Sequence, residues 1–190
     1  MFARAREKAR QASCQSNLKQ IALAELMYAQ DYDERLARRN SGANCNAALR
    51  TNGLAMHVLL PYIKNTQVYL CPSRPTPPGY CGNCSAASLA QLPRSSYNAN
   101  CRRGDPALAE IRRPAEMFLV GESAGGNFWR PHTDWTGCDC GVLDHHNGGI
   151  NVAYVDGHVK WLKAEKAHAT RAVTANYLPW SNKEVYPPGY

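Results

Sequence analysis

Residues 2–36 contain no proline or glycine, and Ala, Arg, Lys, Glu, Gln and Leu dominate them, which predicts one long helix. Its two halves differ. Residues 3–13 alternate Ala with Arg, Lys and Glu and have little to bury. Residues 14–32 place Leu18, Ile21, Ala22, Tyr28, Ala29 and Tyr32 on one face, with Leu23, Leu26 and Met27 behind it. A helix apolar all round requires partners on more than one side. Glu25 falls near the middle of the first face at 100° per residue, so it is either satisfied by a partner or marks a contact that the sequence does not place.

The pattern then changes. Residues 37–53 carry turn formers and no periodicity and form a loop. Residues 54–63 suit a short helix ended near Pro61, and residues 67–71 suit a short strand closed by Pro72. Residues 72–106, rich in Pro, Gly, Cys, Ser and Asn, read as an irregular insertion held by crosslinks. Residues 117–120 are a buried-strand candidate, and residues 127–141 return to loop.

The clearest local signal is a pair of apolar runs, 150–155 and 158–162, flanking Asp156-Gly157. That dipeptide suits a two-residue type I′ hairpin turn. Counting outward pairs Tyr154 with Val159 and Val152 with Trp161 on one buried face, leaving Ala153, His158 and Lys160 on the other. The expected organisation is an N-terminal helix over 1–36, a sheet domain over 37–163 and a C-terminal extension over 164–190.

Composition narrows the class. The chain has 190 residues, of which 44% are hydrophobic and 19% charged, so it forms one domain with a real core. The formal charge of +7 comes from a few Arg and Lys clusters, and no uniform nucleic-acid face is expected. Eight cysteines, an even number, favour disulfides in an oxidising compartment. Yet no apolar run approaches the ~18–20 residues of a membrane span. An apolar segment preceding Phe2 is the expectation that would reconcile these two observations.

Several blocks carry a resemblance. Residues 2–14 (FARAREKARQASC), Ser16-Asn17-Leu18-Lys19-Gln20-Ile21 and residues 27–34 (MYAQDYDE) resemble the stretch after the membrane segment of bacterial type IV pilin-like and type II secretion pseudopilin-like proteins. Residues 60–65 (LPYIKN), Cys71-Pro72-Ser73, Ser96-Tyr97-Asn98 and residues 113–116 (RPAE) follow in the order those proteins show. His146, followed by nine residues and then Asp156-Gly157, is similar to the C-terminal His-X9-Asp-Gly motif of the prepilin-type, DUF1559-like group.

The resemblance implies an α+β fold: one long N-terminal helix packed on an antiparallel β-sheet, with disulfide-stapled loops. It also implies a non-enzymatic structural subunit of an extracellular or periplasmic pilus-like filament, anchored in the inner membrane before assembly. Its partners would be other pilin or pseudopilin subunits, with no nucleic acid. Cys14 and Cys71 both lie in the resembling blocks and are expected close enough to pair as a disulfide. His146, Asp156 and Gly157 are expected to be a structural motif. Asp156 would take the first turn position, and His146 would bond a backbone group at the hairpin entry.

Other chemistry is weaker. Cys81 and Cys84, with Cys138 and Cys140 and the nearby His132, His145 and His146, form an alternative zinc set, that of a secreted zinc-binding module. The second Cys pair lies too far downstream for a zinc ribbon, and disulfides explain these cysteines more simply. Asp31, Asp33 and Glu34, or Asp134, Asp139 and Asp144, offer oxygens for Ca²⁺ without the spacing of a calcium loop. Tyr80, Trp129, Trp135, Tyr177 and Trp180 suggest an adhesin that stacks on sugars. No catalytic constellation emerges, and no cofactor is expected.

Overall fold

The structure, a computed structural model, describes residues 2–37, 56–74, 95–99, 106–122 and 145–165. The elements run α1 (Phe2–Asp31), α2 (Met56–Leu59), a 3₁₀ turn (Thr66–Tyr69), β1 (Tyr97–Ala99), a second 3₁₀ turn (Leu108–Glu110), β2 (Phe118–Glu122), β3 (Gly149–Tyr154) and β4 (Val159–Lys163). The four strands form one antiparallel sheet in the order β1-β2-β3-β4, and α1 packs on it. This is an α+β fold.

The helix buries one face, with Cys14, Leu18, Ile21, Ala22 and Ala29 fully enclosed. Sequence periodicity called for partners on several sides, but Leu23 and Met27, one turn apart, stay 44% and 50% exposed. The helix also stops at Asp31 and not at residue 36. Asp33 and Glu34 take left-handed backbone angles (φ 50° and 56°). The chain beyond them bonds across to a second segment: Leu36 N–H donates to the Pro106 carbonyl at 3.1 Å, and Leu108 N–H to the Glu34 carbonyl at 2.7 Å. Long-range backbone pairing thus outcompetes the local helix preference of residues 32–36. Glu25, buried in the apolar face, accepts the Ala37 N–H at 3.2 Å.

Residues 67–71 are not a strand. Asn65 caps a 3₁₀ turn, its side chain accepting Gln67 N–H at 3.0 Å, and the turn buries Val68 and Tyr69. Strand β1 lies inside the 72–106 region that was expected to be irregular throughout. Ser96 anchors it by donating its N–H to the Tyr69 carbonyl at 2.8 Å.

The hairpin forms where expected, but its register differs by one residue. Ala153 pairs with Val159, Val152 with Lys160 and Asn151 with Trp161. Residues 155–157 form a three-residue loop, bounded by Tyr154 N–H donating to the His158 carbonyl at 2.9 Å. Gly157 alone in this turn has positive φ (84°), so Asp156 does not take the left-handed place expected for it. A type I turn followed by a left-handed glycine is the standard alternative to a two-residue turn.

A one-residue shift exchanges faces. Val152 and Tyr154 therefore join Phe118, Ile150 and Leu162 in a cluster of their own, while Ala153 and Val155 pack with α1. Val159 and Trp161 are half-buried. Cys14 and Cys71, both buried, come into contact as expected, and no disulfide is shown between them. Cys45, Cys81, Cys84, Cys101, Cys138 and Cys140 lie outside the described residues, and with them the loops expected to be stapled. Among the described residues, no helix is long and apolar enough to cross a membrane.

Candidate functional site at the helix–sheet junction

Four parts of the chain meet where the first half of α1 crosses the sheet. The helix presents Glu7, Gln11 and Cys14 at i, i+4, i+7 spacing, which puts them on one face. Cys71 follows the Asn65-capped turn, and its N–H is fixed by the Ser96 hydroxyl at 3.1 Å. Glu122 closes β2. His146 sits in the turn entering β3, where Asn147 (φ 55°) and Gly148 (φ 81°) reverse the chain and His146 N–H donates to the Gly149 carbonyl at 3.2 Å.

Cys14, Cys71, Glu122 and His146 are all fully buried, and one ligand-type atom from each lies within 4.8 Å of the others. His146 Nδ1 is 2.7 Å from Glu7 Oε1, and its Nε2 is 2.8 Å from Glu122 Oε1 and 3.4 Å from Cys71 Sγ. His145 Nε2 lies 3.5 Å from the same sulfur. Around this core, Asn151 donates its backbone N–H to Glu122 Oε2 at 2.8 Å and its amide to Glu122 Oε1 at 3.2 Å. The Ser73 hydroxyl donates to Glu7 Oε1 at 2.7 Å, and the Trp161 indole N–H to the His146 carbonyl at 2.9 Å.

The charges follow from these contacts. Burial works against a charged His146, but Cys71, Glu122 and Glu7 outweigh it and push the imidazole up to about 10. A hydrogen bond from the Cys14 thiol, with further ones from His145 and His146, pushes Cys71 down to about 3 against the effect of burial. Cys14, which keeps its proton for that bond and is itself buried, is pushed up. Burial favours the neutral form of Glu7, yet Ser73, His146 and Arg10 hold it below the usual carboxylate range.

A thiolate beside an imidazolium is a nucleophilic pair in many enzymes. Here both side chains are sealed from solvent, and a reactive cysteine requires partial exposure. The set instead suits coordination or crosslinking: two sulfurs, an imidazole nitrogen and a carboxylate oxygen.

The structure brings Cys14 and Cys71 together from helix and turn. It also places His146 beside them, whose ring bonds the carboxylates of Glu7 and Glu122 and not the backbone group expected of it. Asp156 and Gly157 lie at the other end of β3, where Asp156 Oδ1 accepts the His158 N–H at 3.0 Å and Lys19 donates to the Gly157 carbonyl at 2.8 Å. The zinc set Cys81, Cys84, Cys138 and Cys140 and the five aromatics proposed for sugar stacking lie outside the described residues. Sequence reasoning missed Glu7, Glu122 and Asn151. The available signal was a polar residue within or closing an apolar strand, Glu122 after Phe-Leu-Val-Gly and Asn151 between Ile150 and Val152.

A family model described as Protein of unknown function (DUF1559) matches residues 3–69. The match takes in α1 with Glu7 and Cys14 and ends two residues before Cys71. No curated protein and no solved structure matches the chain.

Proposed function

We propose that the chain is a non-enzymatic structural subunit of a type IV pilus-like or pseudopilus filament, working on the extracellular or periplasmic side of the inner membrane. The observation that carries this reading is the long α1, packed by one face on an antiparallel sheet while Leu23 and Met27 stay uncovered on the other. Copies stacked by their helices would cover that stripe, and contacts of this head-to-tail kind that do not close on themselves generate filaments. The DUF1559 match over residues 3–69 spans this helix and is compatible with a pilin-like surface protein.

The test is fractionation of cells producing the native protein: surface appendages are sheared off, pelleted at high speed and examined by mass spectrometry and electron microscopy. The expected result is the protein in pelleted filaments. Recovery only as a soluble monomer, with no filament in the sheared fraction, contradicts the proposal.

A further inference from the structure

We propose that Cys14, Cys71, His146 and Glu122 bind one Zn²⁺ ion, which clips α1 to the sheet. Four donors of the types that tetrahedral zinc takes converge from α1, the 71–74 turn, β2 and the β3 entry, and all four are buried. A disulfide between Cys14 and Cys71 would engage the two sulfurs alone and leave the carboxylate and the imidazole to pair with each other. A cation uses all four.

Proton geometry points the same way. His146 Nε2 carries at most one hydrogen, yet it faces Glu122 Oε1 at 2.8 Å and Cys71 Sγ at 3.4 Å, so one N–H is shared between two acceptors. A cation placed among Nε2, the oxygen and the two sulfurs satisfies every one of them. Binding displaces the Cys14 thiol proton and the Nε2 proton into solvent, leaving two thiolates, a neutral imidazole and a carboxylate as ligands.

The surrounding residues have the form of an outer metal shell. Glu7 takes the Nδ1–H of His146 and so aims Nε2 inward, the carboxylate–histidine arrangement common behind metal-bound histidines. Ser73 orients Glu7, Asn151 orients Glu122, and His145 reaches the Cys71 sulfur from outside. The site is independent of the filament reading.

The experiment uses the 190-residue chain, reduced and stripped of metal, titrated with Zn²⁺ and separately with Co²⁺. The expected result is one tightly bound ion per chain, with the thiolate-to-cobalt charge-transfer and intense visible bands of a tetrahedral site. Replacing Cys45, Cys81, Cys84, Cys101, Cys138 and Cys140 together by Ser leaves this binding in place. Cys71→Ser weakens it more than 100-fold, Glu122→Gln at least tenfold, and Glu7→Gln roughly 10–100-fold.

Should Cys71→Ser fail to fold, the near-isosteric Glu122→Gln and the zinc-dependent rise in the unfolding midpoint of the unaltered chain decide the question. Octahedral cobalt spectra, zinc lost with the other six cysteines, no midpoint rise with zinc, or a Cys14–Cys71 disulfide mapped in unreduced native protein would each overturn the proposal.

Discussion

His146, in the turn entering β3, and Glu7, in the second turn of α1, are 139 positions apart in sequence and meet at 2.7 Å. The contact joins the first helix to the last hairpin, and on its other side His146 meets Glu122 within the fold. Removing the imidazole leaves Glu122, fully buried, with Asn151 as its remaining hydrogen-bond partner among the described residues. His146→Ala is therefore expected to destabilise the metal-free protein by about 3–5 kcal/mol, the usual consequence of leaving a buried charge unpaired. Glu7→Ala removes a carboxylate that is 19% exposed and is expected to cost only about 1 kcal/mol. Urea midpoints at constant m-value measure both.

Gly149 opens β3 beneath the Trp161 indole. A Cβ there would meet Trp161 Cε2 and Cζ2 at 2.5 Å and would also run into the Leu162 carbonyl. Backbone and ring must both move, and the moving ring is the one that donates to the His146 carbonyl. Gly149→Ala is expected to destabilise by about 2–3 kcal/mol, at the upper end of overpacking. Trp161→Phe, which removes the N–H together with part of the indole's packing surface, is expected to cost ~1–2 kcal/mol. Thermal unfolding followed by circular dichroism separates the two.

At the β3–β4 turn the expected order of effects is set by φ. Gly157 is at +84°, and a Cβ on it would meet Leu26 Cδ1 at 3.3 Å, so Gly157→Ala adds left-handed strain to helix crowding. Asp156 contributes two exposed contacts, both through Oδ1, a capping bond from His158 N–H at 3.0 Å and a 2.6 Å contact with the His158 Nδ1. Gly157→Ala should lose about 1–2 kcal/mol and Asp156→Ala less than ~1 kcal/mol, read from denaturant midpoints. The reverse order would restore the two-residue turn that the Asp-Gly dipeptide suggests.

That turn shows where sequence reasoning works and where it stops. The hairpin was legible because two apolar runs flank an Asp-Gly, a local signal. Its register was not, since Asp-Gly serves two-residue and three-residue loops alike and the choice reverses which residues face α1. The helix was legible from residue 2 to 31, and its end was not, because residues 34–37 are claimed by partners at Glu25 and 106–108. The strand expected at 67–71 yielded to the Asn65 cap. Cys14, Cys71 and His146 stood out by type and motif. Their grouping with Glu7, Glu122 and Asn151 exists only after four distant segments have packed.

The filament proposal makes a prediction at the uncovered stripe of α1. Leu23 and Met27 are half-exposed, so Leu23→Glu with Met27→Glu should leave the stability of the isolated chain within about 0.5 kcal/mol. In cells the same double substitution should abolish recovery of the protein in sheared filaments. Normal filaments from the altered protein would remove this stripe from the assembly surface.

The most direct measurement of the coupling between α1 and the sheet is a double-mutant cycle on Glu7 and His146, using Glu7→Gln, His146→Ala and the pair, in metal-free protein by urea unfolding. Contacting residues in one polar network typically couple by about 0.5–3 kcal/mol, and the 2.7 Å contact between helix and hairpin predicts a value of about 1 kcal/mol. Effects that add to within about 0.5 kcal/mol would mean that the two residues do not act together and that the polar cluster does not hold the helix to the sheet.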